Sequence, residues 1–272
     1  MNVRIKAFAV HLAVSAVVVG TALSLVYFLW YPYPFAHVQK VGSVTLALVC
    51  VDLVMGPLLT YIVFKPGKKG LKFDLAMIGM LQVAALCYGM KITFEQRPVY
   101  AVYNEGRFST VNPEEYIDIE TKKTPRNHPY PRMSLTGPVW VGAKRPSPIS
   151  RADRIYIEIS SQSNGGLRQM PRFYLPYEGI QREAAAAGKK IGDIDFSATV
   201  STAPLSVANP SRLPVKPAQR EAVRRWVDGL GVPSQSVVLL PLVGSGAVGL
   251  VALDGDSGTI LDTLGVAPWW AY

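Results

Sequence analysis

A charge-free, strongly apolar run from Ala7 to Trp30, AFAVHLAVSAVVVGTALSLVYFLW, limits what this chain can fold into more than any other feature. A helix rising about 1.5 Å per residue needs roughly 20 apolar residues to cross about 30 Å of hydrocarbon. Inside lipid the backbone must satisfy its own hydrogen bonds, so such a run crosses as an α-helix. His11 is its only titratable side chain. The run ends in Tyr27, Trp30, Tyr31 and Tyr33, the interfacial aromatic belt of a retained helix rather than the small-residue cleavage site of a signal peptide.

Two further apolar runs follow, from about Gly42 to Phe64 with Asp52 near its middle, and from about Phe73 to Ile92 between Asp74 and Lys91. Three spans are expected. Arg4 and Lys6 precede the first; Lys65, Lys68, Lys69 and Lys72 lie between the second and third; the loop between the first and second holds only Lys40 and His37. Basic residues stay on the cytoplasmic side, so the N terminus and the KPGKKGLK turn are expected inside and everything after the third span outside. The turn is too short for a binding domain, and its lysines suit anionic headgroups.

Of the formal net charge of +9, the part through Ile92 carries eight Lys or Arg against two Asp, so the basic balance is chiefly a topology signal and argues against a nucleic-acid partner. Both cysteines, Cys50 and Cys87, sit in apolar spans. The remaining stretch of about 180 residues is long enough to bury a core without a disulfide.

Asp52 is the sharpest single residue. A lone carboxylate near the bilayer centre costs several kcal/mol unless neutralised, paired or hydrogen-bonded. Three readings stand open: a contact with a partner inside the membrane, a hydrogen bond within the three-helix unit, or proton or ion transfer. Gly56-Pro57 follows, where a missing N–H and a permitted close approach predict a kink or a tight helix crossing. Asp52 and Gly56 share a face, and a polar group, a small residue and a kink together suit either a docking seam or a tolerated packing defect. Gln82 and Gly89 offer similar contacts on the third span.

Beyond the spans, Val99 to Val102 and Arg107 to Val111 predict a hairpin around Asn104-Glu105-Gly106-Arg107, and Asn112, Pro113 and Glu115 predict a helix start. The middle, TKKTPRNHPYPRMSLTGPVWVGAKRPSP, is broken by proline and glycine into irregular or short extended pieces. His128 stands alone and reads as a solvated or capping residue. RIYIEIS fits a strand or a helix end. An extended arm and an alanine-rich helix ending at Gly188 follow, then a helix in KPAQREAVRRWVDGLG with Trp226 on the core. SVVLLPLVGSGAVGLVALDGDSGTILDTLGV predicts two or three strands joined by turns at Gly244-Ser245-Gly246 and at 254–258. Trp269, Trp270 and Tyr272 suit a membrane interface or a sheet edge. The 254–258 turn lacks the glycine and closing glutamate of a calcium loop. No Walker sequence, zinc-spaced His-Glu pair or nucleophile elbow is present, so neither a catalytic site, a metal site nor a cofactor is expected.

Asp52, Gly56-Pro57-Leu58-Leu59-Thr60, Phe64, Lys72, Asp74-Leu75, Gln82, Tyr88-Gly89 and Arg97-Pro98-Val99-Tyr100 together resemble the hallmark of type IV pilin accessory proteins of the TfpX/TfpZ kind. Pro34, Phe35 and the GDSGTIL turn are also similar. The resemblance is strong over residues 1 to about 110 and looser beyond. It implies a non-enzymatic protein of the bacterial inner membrane, with three transmembrane α-helices (1–92) and a C-terminal α+β periplasmic domain (93–272). It implies a chaperone or assembly modulator whose partners are the major type IV pilin, the lipid bilayer and, as further candidates, other inner-membrane pilus assembly components. Asp52, Gly56, Pro57, Gln82, Arg97 and Tyr100 are the candidate partner contacts. The alternative is a membrane sensor or transport-associated subunit with a periplasmic ligand-binding domain, handicapped by the short cytoplasmic turn; a membrane glycosyltransferase or peptidase is a third reading without a visible site.

Overall fold

The computed structural model describes residues 2–115, 127–130, 133–162, 166–194, 199–201, 212–214 and 217–267. The chain divides into two compact units, Met1–Pro32 with Lys40–Arg97, and Tyr33–Gln39 with Pro98–Tyr272.

The first unit consists of three helices long and apolar enough to cross a membrane: α1 (Val3–Trp30), α2 (Gly42–Val63) and α3 (Leu71–Glu95). Asn2 caps α1 by accepting a hydrogen bond from the Arg4 N–H at 3.1 Å. The last residues of α1, Leu25–Trp30, widen into a π-helical turn that closes when the Tyr31 N–H reaches the Val26 carbonyl. There the Tyr31 hydroxyl donates to the Thr93 carbonyl at 2.8 Å, and Trp30 lies 5.0 Å from Phe94, fastening the end of α1 to the end of α3. Val10, Val14, Val17, Phe28, Leu46, Met80 and Leu81 point outward. That much apolar surface is what helices solvated by lipid present, and far more than a water-soluble bundle exposes.

The predicted irregularity around Pro57 takes a specific form. Cys50–Met55 is π-helical, and Gly56–Val63 resumes the α-helix. Proline has no N–H to donate and its ring crowds the preceding turn, so one widened stretch lets the span continue without a break.

The second unit is built on an eight-stranded sheet. Its strands are β1 (Tyr100–Asn104), β2 (Arg107–Val111), β3 (Val139–Ala143), β4 (Tyr174–Pro176), β5 (Lys189–Lys190), β8 (Val237–Val243), β9 (Val248–Asp254) and β10 (Ile260–Leu264), in the order β10-β9-β8-β2-β1-β3-β4 with β5 also on β8. β6 (Thr199–Ser201) and β7 (Arg212–Pro214) form a separate two-stranded ladder. Pairing is antiparallel except for β1 with β3 and β2 with β8. The β1–β2 hairpin turns on Glu105 and Gly106, both at positive φ (49° and 79°), the geometry that matches the twist of the strands it joins.

SVVLLPLV and VGLVALD lack a polar face because both faces of the sheet are covered. On one, Ala101, Tyr103, Phe108, Val238, Leu240, Leu242, Val251 and Leu253 meet α5 (Gln181–Ala187) and Tyr177. On the other, Val99, Tyr100, Val102 and Val141 meet Ile157 of α4 (Arg151–Gln162), while Val237, Leu239, Leu250 and Ala252 meet Val223 and Val227 of α6 (Pro217–Asp228). Each such aliphatic side chain contributes about 1.5–3 kcal/mol on burial. RIYIEIS resolves as helix: Ile157 turns inward while Ile155 and Ile159 stay out. Asn112, Pro113 and Glu115 begin a 3₁₀ turn in which Glu115 reaches back to the Asn112 N–H at 3.0 Å. The residues that would continue it, and Trp269, Trp270 and Tyr272, lie outside the described residues.

The segment Tyr33–Gln39, between α1 and α2 in sequence, is part of this second core. Phe35 and Val38 are buried in it, Phe35 lying 5.8 Å from Trp140. The Val38 carbonyl accepts from the N–H groups of Gly246 (3.0 Å) and Ala247 (2.8 Å) in the β8–β9 turn.

Candidate functional site

Three membrane helices meet at one polar chain. Asp52, on the π-helical stretch of α2, is only 4% exposed. Gln82 of α3 directs its amide nitrogen at the Asp52 carbonyl (3.2 Å) and at Oδ1 (3.3 Å). Its amide oxygen meets His11 Nε2 of α1 at 2.8 Å, and His11 Nδ1 meets Thr60 Oγ1 of α2 at 2.6 Å. With the amide nitrogen committed to Asp52, the amide oxygen accepts, so His11 donates from Nε2. Hydrogen bonds between membrane helices contribute about 0.6 kcal/mol on average and up to about 1.7. The chain stops one atom short: Asp52 Oδ2 is buried with no hydrogen-bond partner among the described residues.

The local sequence explains the geometry. Asp52, Gly56 and Thr60 recur every four residues along one helical row, and all three are buried. The Gln82 side chain lies in the space a β-carbon on Gly56 would fill. Pro57 is buried beside it. Gly89 serves α3 in a similar way, its missing β-carbon replaced by the Leu48 side chain.

Of the six residues singled out in the sequence, Asp52, Gly56, Pro57 and Gln82 come together here, and Arg97 and Tyr100 do not join them. Arg97 is buried, donates from Nη1 to the Phe94 carbonyl at 2.7 Å and stacks over the Phe94 ring at 3.6 Å. Tyr100 is buried in the sheet, with its hydroxyl 3.3 Å from the Tyr130 carbonyl and its ring edge-on to Tyr174. Sequence reasoning did not place His11 and Thr60 in the site. The signals were present: His11 is the lone titratable group of its span, and Thr60 continues the Asp52–Gly56 row.

Elsewhere, His128 accepts from the Tyr130 N–H at 3.3 Å, a local turn contact. Among the described residues no three His, Cys, Asp or Glu side chains are placed to hold a metal ion. The Asp254 carboxylate of the β9–β10 turn is taken up by the N–H groups of Asp256 and Ser257 and the Ser257 hydroxyl. These bonds, the Ser257 N–H foremost, hold its pKa below the ordinary carboxylate value.

These features define a membrane protein of three helices joined by a buried polar chain, carrying an α+β domain. The chain belongs to the fimbrial assembly protein family. The model of that family, described as "Fimbrial assembly protein FimB", matches residues 1–39. Over 100 residues the chain is 31% identical to the fimbrial assembly protein of serogroups C1 and C2 of Dichelobacter nodosus, covering 36% of this chain and 76% of that one. It is 29% identical over 109 residues to the serogroup I protein and 32% over 100 residues to the serogroup E1 protein of the same organism. It spans 42% and 39% of the lengths of those two, against 39% and 36% of its own. No solved structure matches the chain.

Proposed function

We propose that this protein is a type IV pilin accessory protein of the TfpX/TfpZ kind, which binds or stabilises the major pilin in the bacterial inner membrane and promotes or modulates its assembly into pili. Membership of a fimbrial assembly family carries the reading, because the relatives share the part of their names that describes a process rather than a reaction. The basic residues of the short segments support an N terminus in the cytoplasm and an α+β domain in the periplasm. A pilin awaiting assembly has one long apolar helix and a periplasmic head. A partner with membrane helices and a periplasmic domain is able to meet both.

On this proposal the three-helix unit receives the pilin helix along the seam built by Asp52, Gly56, Pro57 and Gln82. Asp52 Oδ2, without a hydrogen-bond partner among the described residues, offers an acceptor to a polar group on the arriving helix. Crosslinking in intact cells, followed by purification of the protein at native level, is expected to capture the major pilin. Asp52→Ala and Gly56→Leu, if they accumulate normally, are expected to lower the captured amount. Repeated absence of pilin with working crosslinking controls would move the assignment to ligand sensing or transport, and full capture by both variants would remove the membrane seam.

A further inference from the structure

One end of the three-helix unit holds a groove that no role assigned so far uses. Val3, Ala7 and Val10 fall at i, i+4 and i+7 of α1 and so form one face. They meet Phe64, just past the end of α2, and Leu75 of α3 around a cavity of about 400 Å³. Val3 is 50% and Val10 65% exposed, so the groove opens along α1 to whatever surrounds the helices. His11 and Thr60 line it where it runs deepest into the span.

The walls decide what fills such a space. Both ring nitrogens of His11 are already hydrogen-bonded, to Thr60 and to Gln82, so water entering the groove finds few of the two to four polar partners that an ordered buried water needs. A vacant gap forfeits the contacts of the atoms that line it. For helices long and apolar enough to cross a membrane, the group at hand that meets apolar walls without losing hydrogen bonds is an acyl chain. The charges at this end of the unit select its headgroup. Lys6, the charged residue of the lining, is exposed. Arg4, Lys65, Lys69 and Lys72 lie near it, at the start of α1 and in the turn between α2 and α3. Asp74 is the one carboxylate in residues 1–11 and 60–75, and Lys68 holds it at 2.6 Å. An apolar groove with this positive balance at its mouth is complementary to a molecule with an apolar chain and an anionic head.

We propose that the groove binds an anionic phospholipid, one acyl chain lying between α1, Phe64 and Leu75 and the phosphate meeting Lys6. The lysine stem follows the acyl chain while its ammonium stays at headgroup level. The bound lipid covers the His11–Thr60 end of the polar network and keeps water from competing for its hydrogen bonds. The site lies wholly within the three-helix unit and holds if the pilin reading fails.

The test uses the full chain, purified in a neutral detergent without pilin and given equal amounts of phosphatidylglycerol and phosphatidylcholine, with bound lipid read by native mass spectrometry. One phosphatidylglycerol per protein is expected to persist as detergent is stripped, several-fold more often than phosphatidylcholine. Lys6→Glu is expected to lower that retention several-fold, while Lys91→Glu, the same change of charge at the other end of α3, leaves it unchanged. Ala7→Phe fills the groove and is expected to lower retention of both lipids; Val17→Phe, at an outward position of α1, is its control. If Ala7→Phe unfolds in detergent, the comparison of Lys6→Glu with Lys91→Glu decides alone. Equal retention of the two lipids, or equal losses in Lys6→Glu and Lys91→Glu, would overturn the proposal. A lipid-free dimer that Ala7→Phe dissociates would also overturn it and make the groove an interface between two copies.

Discussion

Gln82 packs against Gly56 so closely that a β-carbon on residue 56 would occupy the position of the Gln82 amide. The same amide bonds His11 on one side and Asp52 on the other, so the smallest residue of α2 sets the position of the group that links all three helices.

Gly56→Ala is therefore expected to displace Gln82 and to destabilise the helical unit by about 1–3 kcal/mol, the range for overpacking. At Gly79, in α3, a β-carbon would meet nothing within 4 Å, so Gly79→Ala is the matched control and is expected to be near neutral. Thermal unfolding in one detergent separates the two. Equal melting temperatures would show that the Gln82 position is not constrained by residue 56.

Gln82→Leu leaves Asp52 buried without its side-chain partner and His11 without its acceptor. A buried polar group left unpaired costs more than the net value of the bond it lost. The double variant Asp52→Leu/Gln82→Leu is accordingly expected to be more stable than Gln82→Leu alone, measured by reversible unfolding in micelles. Simple additivity of the two single losses would sink the network as an energetic unit.

Much of this architecture could be read from the residues, and the reasons differ by region. The three spans follow from apolar length, the β1–β2 hairpin from Asn104 to Arg107, and α6 from its apolar stripe. RIYIEIS resisted because alternate isoleucines on a helix with one buried and two exposed positions look like a strand. The insertion of Tyr33–Gln39 into the second core was not legible, since Phe35 and Val38 carry no period and their partners, Trp140 for Phe35 and Gly246 and Ala247 for Val38, lie far along the chain. In the site, Asp52, Gly56 and Gln82 stood out because each is unusual in an apolar helix. His11 and Thr60 carried weaker signals, and their pairing comes from the packing of α1 on α2.

Gln39 anchors that inserted segment. Its side-chain oxygen accepts from the Ser245 N–H (2.7 Å), the Ser245 hydroxyl (2.9 Å) and the Thr110 hydroxyl (3.3 Å), and its amide donates to Asn112 at 2.6 Å. Gln39→Ala is expected to cost about 1–3 kcal/mol through the donors left unsatisfied. Faster hydrogen exchange should be confined to the β8–β9 turn and the end of β2. Gly244→Ala should be worse, because its β-carbon would strike the Val38 carbonyl. Unchanged exchange at residues 244–247 in Gln39→Ala would show that the backbone bonds of Val38 hold the segment alone.

The β9–β10 turn has its own pH dependence. The Asp254 carboxylate is held below the ordinary value by the Ser257 N–H first, then by the Ser257 hydroxyl and the Asp256 N–H. A carboxylate depressed in the fold stabilises it above its unfolded pKa of about 3.9, and that stabilisation is lost as the pH falls through the lower folded value. Protection of the Ser257 amide is therefore expected to stay flat from neutral pH down to about 4 and to fall only in more acid solution. Asp254→Asn keeps the shape and one acceptor oxygen but removes the charge, so it should weaken protection at neutral pH and flatten its acid dependence. A carbon NMR titration of Asp254 with its midpoint at or above about 3.9 would show that the turn's donors do not favour the ionised carboxylate.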